Sequence, residues 1–338
     1  MSDLMLAKPD LKDGWIDTSV GEAHLVRDIL LRSFYLDPIK LSVSDHLWDY
    51  PKPNGYPPLV SFLEERYKHP VVITNGAKQA LGSVCYAFKR MKKKTVGLSS
   101  IYWALIPPMI EMHGLKTIFG KHPFLSDAYL TVAPSNPDGF MPDLDCLQTV
   151  CQSKNIPMAH DGAYYTHAYL PVTQELKVYG DAQIFSISKM FGLSGLRLGF
   201  VVCPNPEMYR FIQEYMEAST VGVSVVSQMV LMDLLTQMKK DPVRALQFHQ
   251  DSYDALRVNK EALLNISSDI LDINTKMVEV PGMFLWARCQ DWEAFHKAKI
   301  HIIDGEHFGA PGYIRMNLSL KHSQILEIIK RLNNTRIK

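Results

Sequence analysis

Lys189 closes an apolar run, Ile184-Phe185-Ser186-Ile187-Ser188-Lys189, and Gly192, Gly195, Arg197 and Gly199 follow it. A lysine in a buried, strand-like setting is costly unless its charge is paired or removed. Its amine either snorkels to solvent or is used as a nucleophile, which condenses with carbonyl groups such as that of pyridoxal phosphate. That cofactor makes further demands: amides at a helix N-terminus, hydroxyls and an arginine for its phosphate, and a carboxylate for its ring nitrogen. Its ring also needs apolar or aromatic cover. The chain offers each at the end of an apolar run. Thr74-Asn75-Gly76-Ala77-Lys78 reads as a strand-to-helix turn fit for a phosphate, Asp161 follows a strand directly, and Ser186, Ser188 and Arg197 bracket Lys189. Tyr102 and Trp103 compete for the ring cover, with Tyr102 favoured. His160 reads as buried structure beside Asp161.

Short apolar runs at 71–74, 95–98, 128–133, 156–160, 182–188 and 198–203 read as buried strands, and helical periodicity fills most of the gaps. This alternation predicts an α/β fold with a mainly parallel sheet covered on both faces. Sites in such sheets lie at the carboxyl ends of the strands, where Thr74–Gly76, Ser135–Pro137, His160–Asp161 and Ser188–Lys189 fall. Apolar spacing also predicts helices over 22–34 and 57–67, with Pro57 and Pro58 at a tolerated helix start. Residues 207–265 read as largely helical. Beyond them MVEVP, MFLWAR, KIHII and YIRMNLS read as strands of a smaller α+β lobe, closed by a helix in KHSQILEIIKRLNN. The expected organisation is an N-terminal segment, 1–48, belonging to the small domain, a large domain over 49–240, and a C-terminal small domain over 241–338.

The 338 residues are 47% hydrophobic and 21% charged, with a formal net charge of +1. Such a balance argues against nucleic acid or an anionic membrane as partner. The basic run Lys89–Lys94 reads as a solvated helix C-terminus, where cations suit the dipole. Five cysteines without a CxxC pair exclude a disulfide framework and a cysteine metal site. No apolar run approaches the ~20 residues of a membrane span, and MSDLMLAKPDLKDGW lacks a signal-peptide core. A cytoplasmic setting is the expectation.

These residues carry a resemblance. SISKMFGLSGLRLG is similar to the S-x-S-K-x-x-G-x-x-G-x-R-x-G pattern of the fold-type I, pyridoxal-phosphate-dependent aminotransferases of class I/II, the aspartate-aminotransferase-like family. SNPDG (135–139) resembles that family's N-P-T-G turn, with an aspartate that also suits the turn. DGAY (161–164) resembles its D-x-A-Y, TNGAKQAL its phosphate-loop entry, and YIRMNLS the segment of its carboxylate-binding arginine. IDTSVGE (16–22) and YPKPNGYPPL (50–59) resemble its N-terminal elements. The matches stand in family order over nearly the whole chain.

The resemblance implies fold type I with a seven-stranded-type sheet. Lys189 would hold the cofactor as a Schiff base and then shuttle the proton. Asp161 would pair with the ring nitrogen, and Asn136 and Tyr164 with the 3′-oxygen. Ser186, Ser188, Arg197 and the amides of Gly76, Ala77 and Lys78 would surround the phosphate, while Tyr102 stacks on the ring. Arg315 would bind the substrate carboxylate, Gly21 would leave room for the substrate beside Asn136, and Tyr50 would reach the phosphate of a neighbouring subunit in a homodimer. No metal is implied. The implied activity is ping-pong transfer of an amino group between an L-amino acid and a 2-oxo acid. The segment 217–228, EASTVGVSVVSQ, lacks the arginine that dicarboxylate-specific members bring from the partner chain. A neutral, aromatic or aliphatic side chain is therefore favoured. The alternative is a same-fold lyase or decarboxylase acting on an amino acid or amino-phosphate, and a non-catalytic regulator ranks last.

Overall fold

Two hydrophobic periods alternate between residues 71 and 202, and in the computed structural model they build one seven-stranded sheet. The structure describes residues 13–34, 50–120 and 122–335. The expected boundary at 48–49 and most of the N-terminal stretch considered above lie outside these residues.

In chain order the main elements are β1 (Ile16–Asp17), α1 (His24–Ser33), α2 (Pro57–Tyr67), β2 (Val71–Thr74), α3 (Gly76–Arg90), β3 (Thr95–Leu98), α4 (Ile106–Met112), β4 (Lys116–Phe119) and β5 (Ala128–Val132). Next come α5 (Leu144–Ser153), β6 (Met158–Asp161), β7 (Ala182–Ser186), α6 (Ile187–Met190), β8 (Gly199–Val202), α7 (Pro206–Thr220), α8 (Val225–Lys240) and α9 (Pro242–Leu263). The chain then runs through β9 (Leu271–Asp272), β10 (Phe284–Cys289), α10 (Trp292–Lys297), β11 (Ile300–His301), β12 (Ile303–Asp304), β13 (Tyr313–Asn317) and α11 (His322–Asn334).

The large sheet has the order β2-β8-β7-β6-β5-β3-β4. Pairs β3–β4, β3–β5, β5–β6 and β6–β7 are parallel, whereas β8 runs antiparallel to both β7 and β2. The expected mainly parallel α/β sheet is thus present, with one reversed strand. That reversal positions the site. In register, Gly199 lies opposite both Ser186 and Thr74, so the turn before β8, which carries Arg197, meets the carboxyl ends of β7 and β2. On the adjacent rung Phe185 and Phe200 stack at 4.8 Å between ring centroids, a pair contributing about 1 kcal/mol beyond its buried area.

Three local expectations change. Residues 116–119 form β4, an edge strand whose half-exposed residues (burial pattern exposed, half-buried, half-buried, exposed) weaken the apolar signal. The MVEVP segment (277–281) is not a strand: Met277 and Val278 end a 3-10 turn, Thr275–Val278, and the rest is irregular. Lys189 stands in the one-turn helix α6, because β7 already ends at Ser186.

The second sheet is antiparallel, in the order β12-β13-β10-β9. Beside it the N-terminal β1 pairs parallel with β11, Ile16 opposite Ile300. Ser19–Glu22 is tied to β13 by Asn317, whose Nδ2 donates to the carbonyls of Val20 (2.7 Å) and Glu22 (2.8 Å). Sequence-distant segments thereby come to face the carboxyl edge of the large sheet.

Candidate active site

A cleft of about 680 Å³ opens along that edge. The ends of β5, β6 and β7 contribute Asn136, Asp161, Ser186, Ser188 and Lys189, the start of α3 contributes Ala77 and Lys78, and Arg197 precedes β8. From the other side come Gly21 and Glu22, the stretch His301–Asp304, and Arg315 of β13. Residues expected from distant motifs therefore share one cavity.

The Lys189 amine donates to the carbonyl oxygen of Gly21. Burial pushes its pKa down to about 8; Arg315, Arg197 and Lys78 add repulsion, while Glu22 opposes the shift. Its backbone is held from below, since the Tyr169 hydroxyl donates to the Lys189 carbonyl at 2.8 Å. Sequence reasoning did not find Tyr169, which carries no motif of its own. At Gly21 an added Cβ would lie 3.8 Å from Lys189 Nζ and 3.3 Å from the Phe284 ring, so glycine keeps the space beside the amine open.

Asp161 is 6% exposed, and burial pushes its carboxyl up to about 6, opposed by the Ala163 N–H that donates to Oδ1 at 3.1 Å. Tyr164 lies edge-on to Phe284 and Tyr169, and burial raises its phenol. His160 is buried outside the cleft; its Nε2 lies 2.7 Å from the Ala133 carbonyl oxygen, and burial depresses it to about 4.

Arg315 is 3% exposed. Nη1 donates to Asn136 Oδ1 (2.9 Å) and Nη2 to the Ser19 carbonyl (2.6 Å), while Nε is buried without a protein partner. The guanidinium packs 4.2 Å from the centroid of Phe284. Burial lowers its pKa to about 10, so it stays cationic at neutral pH.

Asn136 sits in the Ser135–Gly139 turn. Asp138 accepts from the Ser135 hydroxyl and, at 3.2 Å, from the Phe140 N–H. Aspartate thus closes the turn from within, the local geometry its side chain favours.

Gly76, at φ +75°, begins α3; a Cβ there would stand 2.9 Å from Arg197 Nη2. Arg197 itself adopts φ +53° and donates from Nη1 to the Ser194 carbonyl at 2.9 Å. Of the two aromatic candidates, Trp103 lines the cleft. Tyr102 is not among the lining residues: it stacks on Phe119 at 4.9 Å, because β4 supplies the aromatic partner. Tyr50 stands 87% exposed, outside the cleft of its own chain. The apolar Val20, Ile302 and Ile303, together with His301, His307 and Asp304, line the cleft without having been expected. No cluster of three or more metal-ligating side chains occurs among the described residues, and no described helix is long and apolar enough to cross a membrane.

The set suits pyridoxal 5′-phosphate. A buried carboxylate with one N–H donor matches a ring cation. Amides at a helix start, the serines and Arg197 match a phosphate, and a depressed lysine amine stands in the same cleft.

Comparison with known proteins agrees. The description "Aminotransferase class I and II" matches residues 43–332. The chain is 31% identical over 190 residues to tryptophan aminotransferase-related protein 2 of Arabidopsis thaliana, the match covering 53% of this chain and 40% of that protein. It is 25% identical over 214 residues to alliin lyase of Allium cepa var. aggregatum, covering 56% and 46%. The match thus spans less than half the length of either relative. Among solved structures, a double mutant of Thermus thermophilus aspartate aminotransferase superposes with a TM-score of 0.76 at 17% identity, over 95% of this chain and 91% of that one, a likeness of fold. Members of the matched family use pyridoxal phosphate as cofactor. With its mainly parallel sheet, its ordered motifs and a cleft that gathers Lys189, Asp161 and Arg315, the chain belongs to the class I and II aminotransferase family.

Proposed function

We propose that the protein is a pyridoxal-phosphate-dependent aminotransferase that moves an amino group between an L-amino acid with a neutral side chain, aromatic or aliphatic, and a 2-oxo acid. The observation that carries this reading is the convergence of Lys189, Asp161 and Arg315 in one cleft. When bound, the cofactor supplies an electron sink for the substrate's Cα electrons.

The rest falls to the chain's own residues. Asp161 holds negative charge at the buried end of the cleft. The first amides of α3, Ser186, Ser188 and Arg197 hold a phosphate at the other. Arg315 orients the substrate by its α-carboxylate, and Asn136 fixes that guanidinium. Lys189 Nζ, with its pKa lowered by burial to about 8, is neutral far more often near neutral pH than an exposed lysine, and in that form takes the proton from the substrate's Cα. Trp103 covers the ring in place of Tyr102. Val20, Ile302 and Ile303 supply an apolar wall for the side chain, and residues 217–228 bring no arginine for a second carboxylate. Exposed Tyr50 fits a homodimer in which it reaches the partner's site. A cytoplasmic setting is part of the same proposal.

A second reading, a lyase, is favoured by the match to alliin lyase; it uses the same cofactor residues. One experiment separates them. The loaded protein is mixed with single amino acids and no oxo acid. Stoichiometric release of one oxo acid, with loss of the visible absorbance, is the transferase outcome; multiple turnovers releasing ammonia or a side-chain fragment are the lyase outcome. Wild-type turnover in Lys189→Ala would sink both.

A further inference from the structure

Asp17 and His301 share a register position across the short parallel pair β1–β11. His301 Nδ1 is buried and lies 3.5 Å from Asp17 Oδ1. That oxygen also accepts from the Ser19 N–H at 2.8 Å and the Ser19 hydroxyl at 2.6 Å. Burial by itself would raise the Asp17 carboxyl, but His301 and Ser19 outweigh it and hold the group at about 2, so it is ionised. Thr18 ties the two strands at the same point, its N–H (3.0 Å) and hydroxyl (2.6 Å) both donating to the His301 carbonyl. The Ser19 carbonyl then accepts from Arg315 Nη2 at 2.6 Å. A short run of polar contacts thus fixes His301 relative to the guanidinium assigned to the substrate's α-carboxylate.

His301 lines the cleft with its side chain 38% exposed. Because Nδ1 is buried, the open edge of the ring is the one that carries Nε2. With the Nδ1 hydrogen directed at the Asp17 carboxylate, a neutral imidazole keeps Nε2 as an acceptor. The two carboxylates on that side of the cleft are engaged: Asp304 Oδ1 accepts from the Glu306 N–H at 2.9 Å, and Glu22 pairs with His24. Val20, Ile302 and Ile303 offer apolar surface beside the ring.

We propose that His301 reads the substrate's side chain: Nε2 accepts a hydrogen bond from an N–H or O–H on it, favouring neutral amino acids with a phenol or an indole over plain hydrocarbon ones. This deepens the aminotransferase reading above and rests on it. Asp17 is a positioning residue that sets the tautomer and the orientation of the ring. The selectivity is one of unmet bonding: a hydrocarbon side chain lying against Nε2 displaces water and leaves the acceptor unpaired, whereas an N–H or O–H there satisfies it.

The test uses the full-length, cofactor-loaded protein and unreactive carboxylates that lack the amino group, so that binding is read without turnover. Calorimetric titration compares para-hydroxyphenylpropanoate with phenylpropanoate, and indolepropanoate with N-methylindolepropanoate. The wild type is expected to bind the donor-bearing member of each pair roughly 3- to 10-fold more tightly. His301→Leu should bring both ratios to within about twofold of unity while phenylpropanoate still binds, and His301→Phe repeats the comparison should the leucine variant not fold. His301→Gln, which keeps an acceptor, should restore much of the contrast, and Asp17→Asn should reduce it because the tautomer is no longer fixed. Ratios near unity in the wild type, or ratios that survive in His301→Leu, would overturn the proposal. Failure of all four ligands to bind overturns it as well. If, in addition, no amino acid mixed with the loaded protein releases an oxo acid, the aminotransferase reading falls too, whereas binding without contrast sinks the role of His301 alone.

Discussion

Arg315 Nη1 donates to Asn136 Oδ1 at 2.9 Å, joining residues 179 positions apart in the chain. One partner belongs to β13 of the small sheet and the other to the turn after β5 of the large one. Since Nη2 is held by Ser19, the unpartnered Nε and the cleft-facing edge of the guanidinium remain for a substrate carboxylate. Arg315→Lys keeps the charge and loses the planar fork. It is expected to lower kcat/KM for the amino acid by roughly 100-fold, mostly through KM, with cofactor absorbance retained. Asn136→Ala should act in the same direction more weakly. Steady-state kinetics with parallel absorbance spectra check both, and an unchanged KM in Arg315→Lys would remove the arginine from substrate binding.

Asp161 and Lys189 are each charged against the preference of a buried site, which makes stability depend on pH. The Asp161 pKa is raised in the fold from 3.8 to about 6. The folded state then binds the extra proton between those values, and stability from this group is lost as pH rises through that window. The Lys189 pKa is lowered from 10.5 to about 8. The unfolded state holds the extra proton there, so this contribution to stability rises with pH from about 8 to 10.5. Between about 6 and 8 both costs are present together. Asp161→Asn is expected to stabilise the cofactor-free protein at pH 7 by about 1 to 3 kcal/mol, and Lys189→Met should stabilise it too. Urea unfolding at pH 5, 7 and 9.5 tests this. The Asp161→Asn gain should shrink toward pH 5 and the Lys189→Met gain toward pH 9.5; gains that ignore pH would refute the electrostatic account.

Gly139 adopts φ +68°, and a Cβ there would lie 2.3 Å from both the Pro281 carbonyl oxygen and Val280 Cγ1. The turn carrying Asn136 thus packs directly on the segment leading into β10, with backbone on the opposing side that cannot yield cheaply. Gly139→Ala is expected to cost about 2 kcal/mol or more, from the left-handed backbone and the displaced contact together. Thermal and urea unfolding measure the loss. Because the clash moves Asn136 relative to Arg315, the KM for the amino acid should rise as well; a stable variant with an unchanged KM would show that the two sheets do not meet through this turn.

Much of the architecture is legible in local pattern. Four strands of the large sheet, 71–74, 95–98, 128–132 and 199–202, begin and end within one residue of the apolar runs, because strands buried on both faces read as continuous apolar stretches. Edge strand β4 escapes that reading, since its half-exposed residues lack the run. MVEVP has the composition of a strand, yet only Met277 and Val278 take up regular structure, at the end of a 3-10 turn, and the segment pairs with no strand among the described residues. Motif spacing likewise singles out Lys189, Asp161, Asn136 and Arg197; Asp161 and Arg197 bond within their own turns, to Ala163 and Ser194, whereas Asn136 meets Arg315 and Lys189 meets Gly21 only across the fold.

What the sequence determines by itself is the set of chemically specialised residues and the alternation of strands and helices, both written in neighbours a few positions apart. Tertiary structure alone decides which of Tyr102 and Trp103 faces the cleft, because that depends on Phe119 arriving from another strand to occupy Tyr102. It alone reverses β8, bringing Arg197 to Gly76. Long-range juxtaposition leaves no periodic trace in a chain: a residue's type records what it can do, while its charge state and its task are set by the groups folding places around it.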